Sequence, residues 1–107
     1  MDWSKFVQNL VDSIKAAFIS DITEVKNQAI QAGKEFLDKN KDDILKWTQQ
    51  CESGELKENE LKILLDGKKD LLKIVALKQQ VLGKVALQKF ITECTSILFN
   101  ALVAFIP

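Results

Sequence analysis

Four glutamates in the middle of the chain are the side chains best suited to chemistry. Glu52, Glu55, Glu58 and Glu60 lie in one short segment. Two neighbouring carboxyl groups can act as general acid and general base when a shielded cleft raises one pKa. These four instead border a Ser-Gly turn and alternate with lysines, and acidic residues are rarely buried. We therefore predict a solvated acidic surface and no catalytic residues.

The same segment shares several positions with a calcium-binding EF-hand loop. Residues 49–60 read QQCESGELKENE, which places Gly54 at position six, Leu56 at position eight and Glu60 at position twelve. Calcium also needs oxygen ligands, mostly acidic, at positions one, three and five. Those positions hold Gln, Cys and Ser. The sequence therefore predicts a helix–turn–helix without a metal site.

Three residue types are missing from the chain, and each absence removes a class of chemistry. There is no His, no Tyr and no Arg, so all 15 basic residues are Lys. Without His, the chain cannot form His-based catalytic triads or His-ligated zinc and haem sites. Without Arg, it cannot grip phosphate or carboxylate through a guanidinium fork. We expect a protein that is not an enzyme and holds no cofactor.

The two cysteines, Cys51 and Cys94, are far apart and form no CxxC motif. Free cysteine is among the most buried residue types, so we predict two reduced, partly buried thiols, with a disulfide between helices as the alternative. The first residues, MDWSKFVQNL, lack the basic and then apolar layout of a signal peptide. We therefore expect a cytoplasmic protein, with association at the membrane surface as the alternative.

Helical periodicity dominates the first third of the chain. Apolar residues recur at steps of three and four, which is typical of an amphipathic helix. Asp2 is a suitable N-cap, and the spacing predicts one long helix over residues 3–39. The segment Asp21-Ile22-Thr23-Glu24 resembles a capping box, so a bend or break near Ser20 is the alternative. The stripe comprises Trp3, Val7, Leu10, Ile14, Phe18, Ile22, Val25, Ala29, Ala32 and Phe36.

Two short helices and a second long one complete the predicted fold. We expect the short helices at residues 41–52 and 57–66, with Asn40 as the N-cap of the first and Gly67 as a left-handed terminator of the second. The second long helix spans 68–106. Gly33 and Gly83 lie inside the long helices, where a glycine indicates close approach of a neighbour. The result is a single all-α domain, 1–107, with a bundle or hairpin architecture. The predicted inner residues of the last helix are Leu71, Ile74 or Val75, Leu82, Leu87, Ile91, Cys94, Leu98, Ala101 and Phe105.

The C-terminal segment is unusually apolar. Nine of the ten residues from Ile97 to Ile106 are apolar, and no charge follows Glu93. A helix that is apolar on all sides must be covered on all sides, by its own bundle, by a partner or by a membrane interface. Two unbroken helices of about 55 Å exceed a globule of about 35 Å, so they either bend near Asp21 and Gly83 or form an elongated hairpin. The candidate interface residues are Ile97, Leu98, Phe99, Leu102, Val103, Phe105 and Ile106.

These features favour a non-enzymatic interaction or structural protein that self-associates, or binds a protein partner, through the apolar C-terminal helix. The first alternative is a membrane-surface or membrane-inserting protein that uses residues 94–107. The second is a bundle with a pocket for an apolar ligand. The lysines of the last helix are sparse and lack Arg or interleaved aromatic residues, which does not favour nucleic-acid binding. No feature implies a small-molecule substrate.

Overall fold

Six α-helices form the described part of the chain, which is residues 1–79 and 83–107 of a computed structural model. In chain order they are α1 (Trp3–Ala17), α2 (Thr23–Lys39), α3 (Lys41–Glu52), α4 (Glu58–Asp66), α5 (Lys69–Leu77) and α6 (Lys84–Val103). All regular secondary structure in these two segments is helical. The prediction of an all-α bundle is confirmed, and each predicted long helix is divided into two.

The predicted helix over residues 3–39 is wrong as a single element. It ends at Ala17 and restarts at Thr23, so that α1 packs against α2. Ser20 and Asp21, residue types that favour turns over helix interiors, occupy the break. Folding back lets the two halves of the apolar stripe face each other, which a straight helix could not do. The capping-box prediction is also wrong in detail, because Ile22 is the N-cap of α2 and no side chain caps its amides.

The predicted helix over residues 68–106 is likewise divided. α5 ends at Leu77 and α6 begins at Lys84. Gly83 is the N-cap of α6 with extended backbone, and a Cβ there would meet nothing within 4 Å. The expected close approach at Gly83 is therefore wrong. Leu82, which the pattern placed on the inner face, lies outside the described residues.

The two predicted short helices are present. α3 has the predicted bounds, and α4 begins one residue later than predicted. Gly54 turns the chain between them with φ of 81°, a conformation that side chains rarely adopt. Gly67 does not terminate α4 in a left-handed conformation, because its φ is −65° and the chain turns directly into α5. Asn40 does not cap α3 with its side chain, since its Oδ1 accepts a hydrogen bond from Nζ of Lys68 at 2.9 Å, while its Nδ2 donates to the carbonyl of Phe36 in α2.

Helix α6 is the centre of the bundle and packs against each of the other five helices. Phe90, Cys94, Leu98 and Leu102 form its fully buried stripe. A helix with this many neighbours needs apolar residues on most of its circumference. The bundle measures 41 × 24 × 21 Å with a radius of gyration of 13.6 Å. Of the two shapes predicted for the chain, bent helices are therefore correct and the elongated hairpin is wrong.

The close approach expected at Gly33 is confirmed. A Cβ at this position in α2 would lie 2.6 Å from Cδ1 of Ile14 in α1, and 3.9 Å from the ring of Phe90 in α6. Three helices therefore meet at Gly33. Leu10, which lies 3.8 Å from the same Cβ position, is fully buried, as are Phe18 and Phe36, and all three belong to the predicted stripe. The predicted inner residue Ile22 is 65% exposed, because it lies in the turn rather than on a helix face.

Candidate interaction surface

The seven predicted interface residues separate into two groups. Leu98 and Leu102 are 1% and 0% exposed, so they belong to the core of the chain itself. Naming them as interface residues is wrong, because α6 is covered by its own bundle on that side. The other five are half-buried and pack at the edge of the core: Ile97, Phe99, Val103, Phe105 and Ile106. The C-terminal half of α6 therefore offers little free apolar surface.

The middle segment forms neither an EF-hand loop nor a carboxylate pair in a cleft. Its first four positions, residues 49–52, are helical and belong to α3, so no twelve-residue loop exists. Glu52, Glu55, Glu58 and Glu60 are all exposed. No cluster of three or more potential metal ligands occurs within residues 1–79 and 83–107. The arrangement gives these carboxylates no environment for acid–base chemistry.

Both thiols are buried and unpaired. Cys51 and Cys94 are free cysteines, as predicted. Burial raises the pKa of the Cys94 thiol to about 12, and the neighbouring Glu93 adds to this effect. Burial also raises the pKa of Cys51. Because the thiolate is the reactive form, neither cysteine is suited to nucleophilic chemistry in the folded chain.

A groove runs between α5 and the N-terminal half of α6, with a volume of about 670 Å³. We call it the α5–α6 groove. Val85, at one edge, is 84% exposed, the highest exposure among the large apolar side chains described. Leu87 and Ile91 follow it on α6 and are half-buried. The groove is lined by Lys73, Lys84, Val85, Leu87, Gln88, Lys89, Ile91, Thr92 and Glu93.

Lysines make the α5–α6 groove basic. Lys89 is held in place by an ion pair of 2.8 Å with Asp21 in the α1–α2 turn, and its Nζ lies 4.6 Å from the ring centroid of Phe18. Lys73 and Lys84 are exposed, and neither forms an ion pair within the described parts of the chain. Glu93 is the one acidic residue in the lining. The groove therefore presents apolar side chains together with two lysines that are unpaired among the described residues, Lys73 and Lys84, and one paired lysine, Lys89.

Exposed apolar side chains continue from the groove along α5. Leu71, Ile74 and Leu77 recur every three residues and are 41%, 54% and 57% exposed. Helix α5 buries Leu72, Val75 and Ala76 instead, against α2 and α6. The sequence analysis assigned Leu71 to the core, which is wrong. The signal that could have shown this is the pair of adjacent leucines, since only one of them can face inward on a nine-residue helix.

Helix α4 presents an acidic face with a single apolar side chain at its centre. Ile63 is 69% exposed. Asn59, Glu60 and Asp66, at spacings of three and four residues from Ile63, share its side of the helix. We call these four residues the α4 outer face. The apolar pattern of the second short helix did not by itself indicate that Ile63 is exposed.

A second groove, between α4 and α6, has a volume of about 810 Å³. Leu65 and Phe99 supply apolar surface, and Thr92, Thr95 and Ser96 of α6 supply hydroxyl groups. Lys57, Lys62 and Lys69 line its other wall together with Glu58 and Asp66. Asp66 pairs with Lys69 at 3.3 Å, which partly neutralises this wall. We call it the α4–α6 groove.

Comparison with protein-family models, curated proteins and solved structures gives no significant match. None of the helices in residues 1–79 and 83–107 is long and apolar enough to cross a membrane.

Proposed function

We propose that this chain is a non-enzymatic interaction protein and that it binds another protein in the α5–α6 groove. The observation that carries the proposal is the exposure of Val85 in a groove that is also lined by half-buried Leu87 and Ile91 and by three lysines. Amphipathic helices bind such grooves through apolar side chains at helical spacing. The basic rim favours a partner whose binding helix is acidic.

The last helix remains the binding element, as the sequence predicts. The proposed binding surface lies in the N-terminal half of this helix rather than in its C-terminal half. The C-terminal residues 97–106 mostly serve the chain's own core. The N-terminal turns of α6 bury Phe90 and pack Leu87 and Ile91 against the core, but they also leave Val85 exposed beside Lys84 and Gln88. We further propose a cytoplasmic location, which two unpaired thiols support because oxidising compartments favour disulfides.

The proposal can be tested by photo-crosslinking in the cells that produce the protein. A photoreactive amino acid at position 85 should give a discrete protein adduct, and the same amino acid at position 9, on exposed α1, should not. The Lys84→Glu variant should weaken the adduct, because it reverses a charge at the rim. Equal labelling at positions 85 and 9 would contradict a specific docking surface.

A second candidate function is the binding of an apolar ligand in the α4–α6 groove. The volume of about 810 Å³ is the observation that favours it, since ligand pockets commonly span about 300–1,000 Å³. A fluorescent long-chain fatty acid should then bind with saturation, and Phe99→Gln should weaken binding. Signal that rises linearly with probe concentration, unchanged by that substitution, would argue against this function.

A further inference from the structure

We infer that the protein bound in the α5–α6 groove is a second copy of this chain, which inserts the outer face of its α4. The inference rests on the proposed function, because it names the partner of the same groove. It joins two surfaces that expose an apolar side chain beside charged groups. One is the α5–α6 groove with Val85 and its lysines, and the other is the α4 outer face with Ile63 and its two acidic residues.

The α4 outer face has the chemistry that the groove requires. Ile63 is a single, 69% exposed apolar side chain, the kind of anchor that can pack against the apolar lining residues Leu87 and Ile91. Glu60 and Asp66 lie one turn before and after it. Glu60 accepts a hydrogen bond from the backbone N–H of Lys57 at 3.2 Å, and Asp66 pairs with Lys69. Each carboxylate retains lone pairs for a lysine of another copy.

The distribution of charge along the chain also favours contact between copies. Residues 41–67 contain four Lys and seven acidic residues, whereas residues 68–107 contain six Lys and two acidic residues. The chain as a whole has no net charge. Two copies therefore do not repel each other at long range, and the acidic region of one attracts the basic region of the next.

The two surfaces differ, so the contact is heterologous. Each copy has one α4 outer face and one α5–α6 groove, and after the first contact one of each remains free. Such contacts build rings or open chains rather than closed two-fold dimers. One short helix in one groove buries less than the roughly 800 Å² per partner of a standard interface, so we expect weak association, with Kd on the order of micromolar or above.

The experiment uses two variants that each remove one surface, Ile63→Lys and Val85→Asp. Both positions are exposed, and an Asp in the first turn of α6 interacts favourably with the helix dipole, so both chains should fold. Wild type should show a mass that grows with concentration in sedimentation velocity, and less so at high salt. Each variant alone should remain a 12.1 kDa monomer. An equimolar mixture should form a species of two chains, because the intact α4 of one variant fits the intact groove of the other.

Ile19→Lys is the matched control, because Ile19 is 74% exposed and belongs to neither surface. It should associate as wild type does. Wild type that stays monomeric at about millimolar concentration, or a mixture that stays monomeric, overturns the inference. In that case a photo-crosslinked adduct of a different protein at position 85 would leave the proposed function standing, whereas no adduct would remove both. Binding to anionic vesicles that Val85→Asp abolishes would also overturn it, because the surface would then serve a lipid.

Discussion

At the scale of single residues, packing around Gly33 decides how closely three helices meet. Ile14 is fully buried and its Cδ1 occupies the space where a Cβ of residue 33 would lie. Glycine in a helix interior costs about 1 kcal/mol relative to alanine. At Gly33 this cost is opposed by the packing of Ile14 into the space that the absent Cβ leaves. The sequence could indicate the close approach but not the residue that makes it.

We expect Gly33→Ala to lower the free energy of unfolding by about 1 kcal/mol, because the overpacking of Ile14 exceeds the gain in helix propensity. Urea denaturation measures the change. In an Ile14→Val background, which lacks the Cδ1 atom, the same substitution should become neutral or stabilising. Equal effects in the two backgrounds would show that the two residues do not interact.

The buried thiols provide a second prediction at this scale. A pKa of about 12 leaves Cys94 almost wholly protonated at pH 8, and burial denies access to reagents. In the native chain at this pH we expect a disulfide reagent to label both cysteines slowly, at the rate of unfolding. In guanidinium chloride both should react at once. Rapid labelling of Cys94 in the native chain, identified by mass spectrometry, would contradict this burial.

At the scale of helices, the sequence could predict the helical class and most core residues. It could not predict where a turn divides each of the two long helices. The spacing of apolar residues is regular from Leu10 to Phe36. This spacing is compatible both with one straight helix and with two helices folded into a hairpin. What selects the hairpin is tertiary: Phe18 is buried at the turn, and Asp21 binds Lys89 from a helix 68 residues away. The prediction of Leu71 as an inner residue failed for a related reason, since Leu71 adjoins Leu72 and only packing decides which of the two is buried.

The N-terminus of α2 lacks a side-chain cap, so a substitution there should stabilise the fold. Ile22 is its N-cap, is 65% exposed, and offers no side-chain acceptor to the first amides. Ile22→Ser should raise the free energy of unfolding by about 1 kcal/mol, because serine caps the exposed N–H groups. Thermal unfolding measures this change. Ile22→Ala is the control, because it removes the same exposed side chain without adding a cap, and it should give no comparable gain.

At the scale of the whole molecule, lysines of the last third of the chain bind acids of the first half. Lys78 and Lys39 both contact Glu35, at 2.8 and 3.1 Å, and the hydrogen bond from Lys78 is the main reason that the pKa of Glu35 is lowered. Lys68 contacts Asp43 at 2.6 Å, which lowers the pKa of that carboxyl group. These contacts hold α5 and the turn before it against α2 and α3. Each pair includes one side chain that is about half exposed, so the individual effects on stability are small.

The pH dependence of unfolding follows from these shifts. A carboxyl group whose pKa is lower in the folded chain stabilises the fold at pH values above its unfolded pKa, and the effect is lost as pH falls through the folded pKa. The free energy of unfolding should therefore decrease with falling pH below about 4.5, the unperturbed value of Glu35. Glu35→Gln should make this decrease shallower. Urea titrations from pH 7 to about 3 measure both slopes, and parallel curves would argue against a contribution from Glu35.

The central position of α6 has a consequence for how the chain acquires its structure. The helix that contacts all the others is the last of the six to be synthesised, and the addition of its 20 residues takes about 1–4 s. Until then Leu10, Ile14, Phe18 and Phe36 lack the partner that completes their burial. Until α6 is present, much of the apolar surface of the nascent chain therefore remains exposed to solvent. Co-translational folding of the first five helices into a stable unit is not expected, and chaperones that bind apolar segments have a window in which to act.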